Sequence, residues 1–468
     1  MKSDLIDALK GAIGADAVLT GEPARRERRF DYWSLSHLRD WRGDDLALPG
    51  CVVRPCSVAA VQAVIGLAAA HRVPVIPWGL GSGVCGGVVA DPSSIILDMG
   101  AMNTVRGIDT VDLLGSFDAG INGMVAEEAV AREGLTIGHW PQSIAVSSLG
   151  GWISTRASGQ FSTAYGNIED IVHSIEAVLP DGSLVVLGKA PRAAAGPDLR
   201  HVLLGAEGTM GVVTGVTLSL RRQAAARGFS AFLAPDMATG FEAQRRIVQA
   251  DWWPPVMRQY DGREVARMFP DHARGDSPLV LLVHEGPAVR VEAERAAVAE
   301  LAAGAGLESI NPEVCREWME RRNHVPSWRD FFAGGVVLDT IEVSGSWTRV
   351  DAIYRDAVAS LNAMDGMVNA SAHSSHVYRP GINLYFTFAV RPADTAGMEP
   401  AYLEAWSRVM EAVARHGGGI AHHHGAGRVR RDHLHHDLGA NGLALLRRLK
   451  AAVDPLGIMN PGVLLPDA

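Results

Sequence analysis

The chain has 468 residues, 47% of them hydrophobic and 20% charged, and its formal net charge is −9 at pH 7. This composition is that of an ordinary globular enzyme, and the length predicts two domains. The acidic balance excludes nucleic-acid binding through a basic face. Four cysteines are too few for a disulfide framework in a chain of this size. Because the chain starts with acidic residues and has no apolar run near the roughly 20 residues of a membrane span, we expect a cytoplasmic protein.

The first recognisable elements are strands and one helix. Residues 51–53 form a predicted strand, and Ser57 is suited to cap a helix that has apolar residues at the spacing of one helical face. A strand at 73–77 then enters a glycine-rich loop, and a strand at 95–97 leaves it. The loop therefore lies at the centre of a β-α-β-loop-β unit.

The glycine-rich loop has the spacing G-x-G-x-x-G over Gly81-Ser82-Gly83-Val84-Cys85-Gly86. In a Rossmann fold such glycines open a helix, whose amides hold a pyrophosphate. Here residues 87–92 read as loop and residues 94–98 as strand, with no room for a crossover helix. We interpret the loop as a phosphate cradle built without a Rossmann helix. The alternative is a plain turn between two strands.

A basic, alanine-rich stretch at 221–227 marks a plausible domain boundary, because the predicted elements just before it are strands and those after it are helices alternating with strands. Before it, residues 171–187 and 211–220 read as strands. Beyond it, predicted helices at 240–250, 289–303, 349–364 and 399–416 alternate with strands at 279–284 and 384–390. The last predicted helix spans 441–453. This α+β pattern indicates a second domain.

Three more segments make the chain recognisable: 148–159, which is rich in glycine and hydroxyl groups, Tyr165-Gly166-Asn167-Ile168-Glu169-Asp170, and 205–214. Together with the loop at 79–87 they resemble the FAD-binding domain of the vanillyl-alcohol oxidase superfamily. The segment 418–427, which contains His422, His423 and His424, looks like the triple-histidine segment of the alkyldihydroxyacetonephosphate synthase family. The resemblance covers residues 31–466.

The resemblance implies an α+β fold. A two-subdomain PCMH-type (p-cresol methylhydroxylase-type) FAD-binding domain would span residues 1–222, and an α+β cap (substrate) domain with an antiparallel sheet would span 223–430. Residues 431–468 would return to the FAD domain. The cofactor would be FAD, held non-covalently because Leu80 and Ser82 stand in the loop where some relatives carry a linking histidine.

Flavin-binding residues are carried over from the resemblance in three groups. The pyrophosphate group is Pro77, Trp78, Gly79, Leu80, Gly81, Ser82 and Gly83. The ribityl and isoalloxazine group is Gln142, Ser143, Ser147, Ser148, Thr155, Arg156, Ala157 and Ser158. The adenosine group is Glu207, Gly208, Thr209, Gly211, Val212 and Val213. Their backbone amides and short hydroxyls suit a cofactor that has many acceptors.

The resemblance also implies roles in catalysis. Tyr378 would donate or accept a proton, with His422, His423, His424 and Arg258 as further catalytic residues and Arg329 and Thr340 as substrate-binding residues. The implied reaction exchanges the acyl group of acyl-dihydroxyacetone phosphate for a fatty alcohol through a flavin N5 adduct. The chain departs from the family pattern at Gln142 and Thr340, which replace an aspartate and a serine. It also departs after Tyr378, where Arg379-Pro380-Gly381 stands in place of the usual Asp-Ala-Gly.

Two other readings of the histidines and the flavin site stay open. On a strand, His422 and His424 would share one face and could begin a metal site. However, Tyr385 and His423 stand where metal-dependent relatives carry a histidine and an acidic ligand, so we predict no metal. The other reading is an FAD-dependent dehydrogenase or oxidase acting on a hydroxy acid or an alcohol.

The partners that we expect are a small-molecule or lipid substrate, no nucleic acid, and a second copy in a homodimer. A lipid substrate would also bring the protein into peripheral contact with a membrane.

Overall fold

The computed structural model describes residues 1–325 and 327–466. Its helices are α1 Ser3–Ile13, α2 Glu22–Glu27, α3 Ser34–Arg42, α4 Val58–His71, α5 Gly123–Ala131, α6 Leu149–Thr155, α7 Ser162–Tyr165, α8 Ile168–Ile171, α9 Arg200–Leu203, α10 Met237–Gln249, α11 Gly262–Met268, α12 Ala288–Gly304, α13 Glu313–Arg321, α14 Trp328–Ala333, α15 Val350–Asn362, α16 Met398–Arg415 and α17 His435–Val453. Its strands are β1 Val18–Leu19, β2 Cys51–Val53, β3 Val75–Trp78, β4 Ile95–Asp98, β5 Val105–Asp109, β6 Leu114–Asp118, β7 Leu135–Thr136, β8 Val172–Val178, β9 Leu184–Leu187, β10 Val212–Ser219, β11 Arg221–Arg222, β12 Ala226–Leu233, β13 Val256–Tyr260, β14 Leu279–Gly286, β15 Glu308–Ile310, β16 Val337–Ser346, β17 Met367–Ser374, β18 Val377–Tyr378 and β19 Gly381–Val390.

The first sheet has the strand order β1-β2-β4-β3, in which β2, β4 and β3 run parallel. Helix α4 connects β2 to β3, and the Ser57 hydroxyl caps it by accepting a hydrogen bond from the Ala60 amide at 3.2 Å. Strand β3 leads directly into the glycine-rich loop, and β4 follows that loop without a helix between them. The predicted loop without a Rossmann helix is therefore confirmed.

The second sheet is antiparallel, with the order β5-β6-β10-β8-β9. Its core gathers the buried side chains of Phe117, Trp152, Ile175 and Leu218. The predicted strand at 171–187 is a hairpin of β8 and β9, because Asp181-Gly182 forms the turn between them. Short strands β7 and β11 pair separately.

The cap is one large antiparallel sheet, ordered β15-β12-β14-β13-β17-β19-β16, with β18 pairing to β19. Helices α15 and α16 pack together against one face, where Phe386, Phe388 and Ile341 belong to the core. Because side chains alternate along a strand, the intervening residues face the other way. Register therefore gathers Thr340, Glu342, Tyr385, His373, Tyr260 and Arg258 on one face of the cap sheet.

The end of the chain packs on both the first and the second sheet. Leu446 and Val453 lie against the core of the second sheet, whereas Ile458 and Met459 belong to the core of the first. Helix α17 is interrupted at Gly439, whose φ of 62° and ψ of 174° are not helical, and the part after Gly439 corresponds to the predicted helix at 441–453. Among the described residues, no helix is long and apolar enough to cross a bilayer.

The predicted α+β fold, with its antiparallel cap sheet, is confirmed. The four predicted helices of the cap correspond to α10, α12, α15 and α16 within a few residues at each end.

Candidate active site

The three predicted flavin segments lie against one another. Gly79, in the pyrophosphate group, faces Ser148 so closely that an added Cβ would lie 2.3 Å from the Ser148 Oγ. Gly208, in the adenosine group, has φ +75° and would bring a Cβ within 2.9 Å of the Pro77 ring. Glu207 also donates its amide to the Ser154 carbonyl at 2.9 Å. Segments that are far apart in sequence thus form one glycine-lined cradle.

The cradle offers donors that the protein does not use itself. Within residues 1–325 and 327–466, the backbone amides of Leu80, Gly81, Ser82 and Gly83 donate to no protein acceptor. Adjacent free amides in a glycine-rich turn suit the oxygens of a pyrophosphate. The residues present therefore fit FAD: the loop would hold the pyrophosphate, and the segments around Ser148 and Glu207 would hold the rest of the cofactor.

Some predicted flavin residues already have protein partners. Ser147 accepts a hydrogen bond from the Trp152 indole at 2.8 Å, and Thr155 donates to the Gly151 carbonyl at 3.0 Å. Gln142 is exposed and donates to the His324 carbonyl, whereas exposed Arg156 pairs with Glu169 at 2.8 Å. The second group of predicted residues therefore divides into buried or half-buried residues and two exposed ones, Gln142 and Arg156.

Two buried carboxyl groups lie beneath the loop. Asp31 accepts hydrogen bonds from the amides of Trp33 and Val88, and Glu207 accepts from the amides of Ala426 and Gly427. Burial raises the pKa of Asp31 from 3.8 to about 7 and that of Glu207 from 4.5 to about 7, although the amide donors oppose the shift. These carboxyl groups tie the loop to the N-terminal segment and the cradle to the segment after the histidines.

Tyr378 lies in a chain of hydrogen bonds that starts at a predicted flavin residue. Ser158 donates to Asn167 Oδ1 at 2.7 Å, and Asn167 Nδ2 donates to Tyr378 Oη at 3.2 Å. Tyr378 Oη is 2.7 Å from His422 Nε2, and His422 Nδ1 is 2.8 Å from His423 Nδ1. Each of these groups can donate a hydrogen bond to the next one: Ser158 to Asn167, Asn167 to Tyr378, Tyr378 to His422, and His422 to His423.

Burial determines the protonation of this chain. It lowers the pKa of His422 to about 4 and that of His423 well below its ordinary value, so both imidazoles are neutral at pH 7. It also raises the pKa of Tyr378 above its ordinary value, which keeps the phenol protonated. A neutral imidazole behind a protonated phenol can accept a proton that enters through the phenol oxygen.

The turn at residues 421–427, which we call the histidine turn, is anchored by Glu342. The amides of His423 and His424 donate to Glu342 Oε1, and His424 Nδ1 lies 2.8 Å from Oε2. Arg430 forms an ion pair with the same carboxylate, and neither side chain is exposed. Although burial opposes ionisation, Arg430 and His424 lower the pKa of Glu342 well below its ordinary value.

The histidines do not lie on a strand, so the geometry in which His422 and His424 would share one face does not occur. Residues 421–427 form a bend, because positive φ at Gly425 and Gly427 and the amide bonds to Glu342 turn the backbone. His422 therefore faces His423 instead of sharing a face with His424.

His376, His422 and His423 form a group that could hold a metal ion, because one ring nitrogen from each lies within 4.8 Å of the other two. His376 Nδ1 is 2.6 Å from the Ser162 hydroxyl, and both nitrogens of His422 are already engaged. A metal at this cluster would have to displace Tyr378 or His423, so the absence of a metal stays our prediction.

Arg258 lies close to the histidine cluster, whereas Arg329 lies apart from it on the surface. Arg258 is buried, donates through Nε to Tyr260 Oη at 2.8 Å, and packs over the Trp318 ring. Thr340 donates to Tyr385 Oη at 3.1 Å, and Tyr385 stacks on His373. Arg329 is 59% exposed and pairs with Asp40 at 2.6 Å.

A cavity of about 900 Å³ lies between the two domains, and neither Arg258 nor Thr340 is among the described residues of its wall. Its wall includes Tyr378 and His422, the flavin-segment residues Thr155 and Glu207, and cap residues such as Ser344 and Arg349. The substrate would therefore meet the proton chain beside the flavin segments.

Sequence reasoning missed several members of the site. Asn167 lies in the quoted segment 165–170, and His376 and Glu342 lie two residues from Tyr378 and Thr340, but no local pattern distinguished them from their neighbours. His139 is buried against Trp152, with both ring nitrogens lacking a partner among the described residues. Their importance depends on contacts across long sequence distances.

Fold and site together define a two-domain FAD-dependent enzyme. Residues 49–188 match the model of the FAD binding domain, and residues 224–464 match the C-terminal domain of FAD linked oxidases. The chain belongs to this family of FAD-linked enzymes, and FAD is its cofactor.

The chain is similar to characterised and uncharacterised members alike. It is 32% identical to the uncharacterised FAD-linked oxidoreductase YgcU of Escherichia coli K12, over 99% of each chain. It is 30% identical to alkyldihydroxyacetonephosphate synthase of Trypanosoma brucei brucei, over 100% of this chain and 81% of the synthase. A solved structure of alkyldihydroxyacetonephosphate synthase superposes with a TM-score of 0.81 at 26% identity, covering 98% of this chain and 85% of that one.

Glu342→Gln tests the anchor of the histidine turn. The change leaves the Arg430 charge buried without a counter-ion, so we expect a loss of about 3–5 kcal/mol in the free energy of unfolding. Denaturant unfolding followed by circular dichroism measures it. Glu342→Gln combined with Arg430→Met should be more stable than the single variant. A single variant as stable as the wild type would contradict the assignment.

Asp31→Asn tests the buried carboxyl under the loop. Because the folded pKa is raised from 3.8 to about 7, protonated Asp31 stabilises the fold fully below about pH 4, and this contribution is lost as the pH rises through 7. Between about pH 5 and pH 8 the wild type should lose more melting temperature than the variant does. Exposed Asp7→Asn is the control. Parallel pH profiles for wild type and Asp31→Asn would refute the raised pKa.

Proposed function

We propose that the chain is an FAD-dependent oxidoreductase that oxidises a small alcohol or hydroxy acid bearing an anionic group. The observation that carries the proposal is the chain Tyr378–His422–His423 at the wall of the cavity, with neutral imidazoles behind a protonated phenol. Oxidation of an alcohol carbon removes a proton from its hydroxyl group and a hydride, which is a hydrogen with two electrons, from the carbon itself. Bound FAD supplies the electron acceptor.

The residues of this chain would handle the proton. A substrate hydroxyl hydrogen-bonded to Tyr378 Oη can pass its proton to the phenol oxygen while the phenol proton moves to His422 Nε2, 2.7 Å away. For this, His422 must carry its own proton on Nδ1, from which it donates to His423 Nδ1. Asn167 would hold Tyr378 in place through its amide.

Arg258, which lies beside the histidine cluster and outside the wall of the cavity, would hold the anionic group of the substrate. Its guanidinium is buried, and within residues 1–325 and 327–466 it forms no salt bridge. A buried guanidinium that forms no salt bridge favours binding of a carboxylate or a phosphate, which it can contact with two donors at once. The charge of Arg258 also contributes, after burial and His422, to the lowered pKa of His376, so Arg258 lies close to the histidine cluster.

The cavity wall offers groups that can hydrogen-bond to a small polar substrate. They include the hydroxyls of Thr155, Ser344, Ser346 and Thr348 and the guanidinium groups of Arg156 and Arg349. The similarity to an oxidoreductase over 99% of both chains adds to this reading.

The second candidate is the exchange of an acyl group for a fatty alcohol, as the synthase resemblance implies. The triple histidine beside Tyr378 and the full-length similarity to a synthase favour it. The same chain of residues would then take the hydroxyl proton of the incoming alcohol as its oxygen bonds to the substrate carbon, and the acyl group would leave as a fatty-acid carboxylate. Arg329, which that resemblance assigned to substrate binding, lies outside the cavity and pairs with Asp40.

Anaerobic titration distinguishes the two reactions. We expect the visible absorption band of the bound flavin to bleach when a short 2-hydroxy acid or a phosphorylated alcohol from a panel is added. Exchange of labelled fatty acid into acyl-dihydroxyacetone phosphate, without bleaching by any member of the panel, would overturn the oxidoreductase proposal and support the exchange.

Tyr378→Phe tests the entry point of the proton chain. Without the phenol oxygen, His422 has no proton path to the substrate, so we expect kcat to fall about 100-fold or more while FAD stays bound. Steady-state kinetics and the flavin spectrum of the purified variant measure the two effects. The matched control is Tyr385→Phe. It removes a phenol that lies beside His423 but outside the hydrogen-bond chain, so it should keep more activity. Unchanged kcat in Tyr378→Phe would remove Tyr378 from the mechanism.

A further inference from the structure

The C-terminal segment is hydrogen-bonded to the strand that carries the pyrophosphate loop. Strand β3 lies at the edge of the first sheet. The Val75 amide donates to the Ile458 carbonyl at 2.8 Å, and the Asn460 amide donates to the Val75 carbonyl at 2.9 Å. Residues 458–460 therefore complete the open edge of the strand that leads into the glycine-rich loop.

The side chain of Asn460 connects two of the flavin segments. Its Nδ2 donates to the Gly87 carbonyl at 2.9 Å and to the Glu207 carbonyl at 2.7 Å. Gly87 ends the glycine-rich loop, and Glu207 begins the adenosine group. The side chain is buried, and its φ of +40° is a conformation that asparagine tolerates better than most residues. One amide group thus sets the spacing between the two loops.

Lys450 and Asp454 hold Asn460 in this position. Lys450 Nζ donates to the carbonyls of Thr209 and Met459 and to Asp454, at distances between 2.5 and 2.9 Å. Asp454 accepts from the amides of Ile458 and Met459. Thr209 belongs to the same adenosine group as Glu207, so the contacts of Lys450 reinforce the bridge made by Asn460.

We propose that Asn460 is a positioning residue for FAD, which holds the pyrophosphate loop and the adenosine segment at the spacing that the cofactor needs. The loop has no helix to fix its position, and the free amides of residues 80–83 can converge on a pyrophosphate only if the loop is held from outside. The assignment depends on the cofactor and not on which reaction the enzyme catalyses, so it holds for either candidate function.

Asn460→Asp tests the proposal with an isosteric change. A carboxylate oxygen facing the Gly87 and Glu207 carbonyls removes both hydrogen bonds and replaces attraction by repulsion. We expect the Kd for FAD, measured by titration of the FAD-free protein, to rise on the order of 10-fold or more. The difference in melting temperature between FAD-loaded and FAD-free protein should shrink accordingly.

The control is Asn441→Asp, the same substitution on the exposed side of α17 in the same terminal segment. It should leave the Kd for FAD unchanged. A purely structural role of Asn460 would lower the melting temperatures of the FAD-loaded and FAD-free forms equally and leave the Kd unchanged, which would overturn the proposal. If Asn460→Asp does not fold, Asn460→Ser decides: a raised Kd for FAD supports the positioning role, and an unchanged Kd overturns it.

Discussion

The carboxylate of Glu342 is the point on which the active site depends. It lies on the inner face of the cap sheet, is fully buried, and is balanced by the equally buried Arg430. A buried charge of this kind is tolerated only when it is paired and its remaining lone pairs are filled. The amides of His423 and His424 fill them. The electrostatic need of one side chain therefore dictates the backbone path of the histidine turn.

That path in turn explains why the histidines can act on a proton. A strand would have directed adjacent imidazoles to opposite sides, whereas the bend brings His422 and His423 nitrogen to nitrogen. Burial keeps both rings neutral, so the negative charge of Glu342 does not hold a proton on His422 at pH 7. Anchoring and proton transfer are thus divided between the backbone of the turn and its side chains.

Features that depend on neighbours in sequence could be predicted, and features that depend on distant contacts could not. The Ser57 cap and the loop without a helix follow from local chemistry, and the antiparallel cap follows from the resemblance. Asn167 and Glu342 could not be identified, because a buried polar residue becomes informative only when its partner is known. Arg329 shows that a local resemblance can also mislead. The resemblance implied that it binds substrate, but its guanidinium pairs with Asp40 on the surface.

The pyrophosphate loop shows why both ends of the chain must meet at the cofactor site. In a Rossmann fold, the helix that follows the glycines supplies the amides and also fixes where they point. Here strand β4 follows instead, so the loop has free amides but no rigid element behind them. Asp31 from the N-terminal region and Asn460 from the C-terminal region contact the loop at Val88 and Gly87. Contacts from distant segments replace the helix, and the cradle exists only once the whole flavin domain has closed around it.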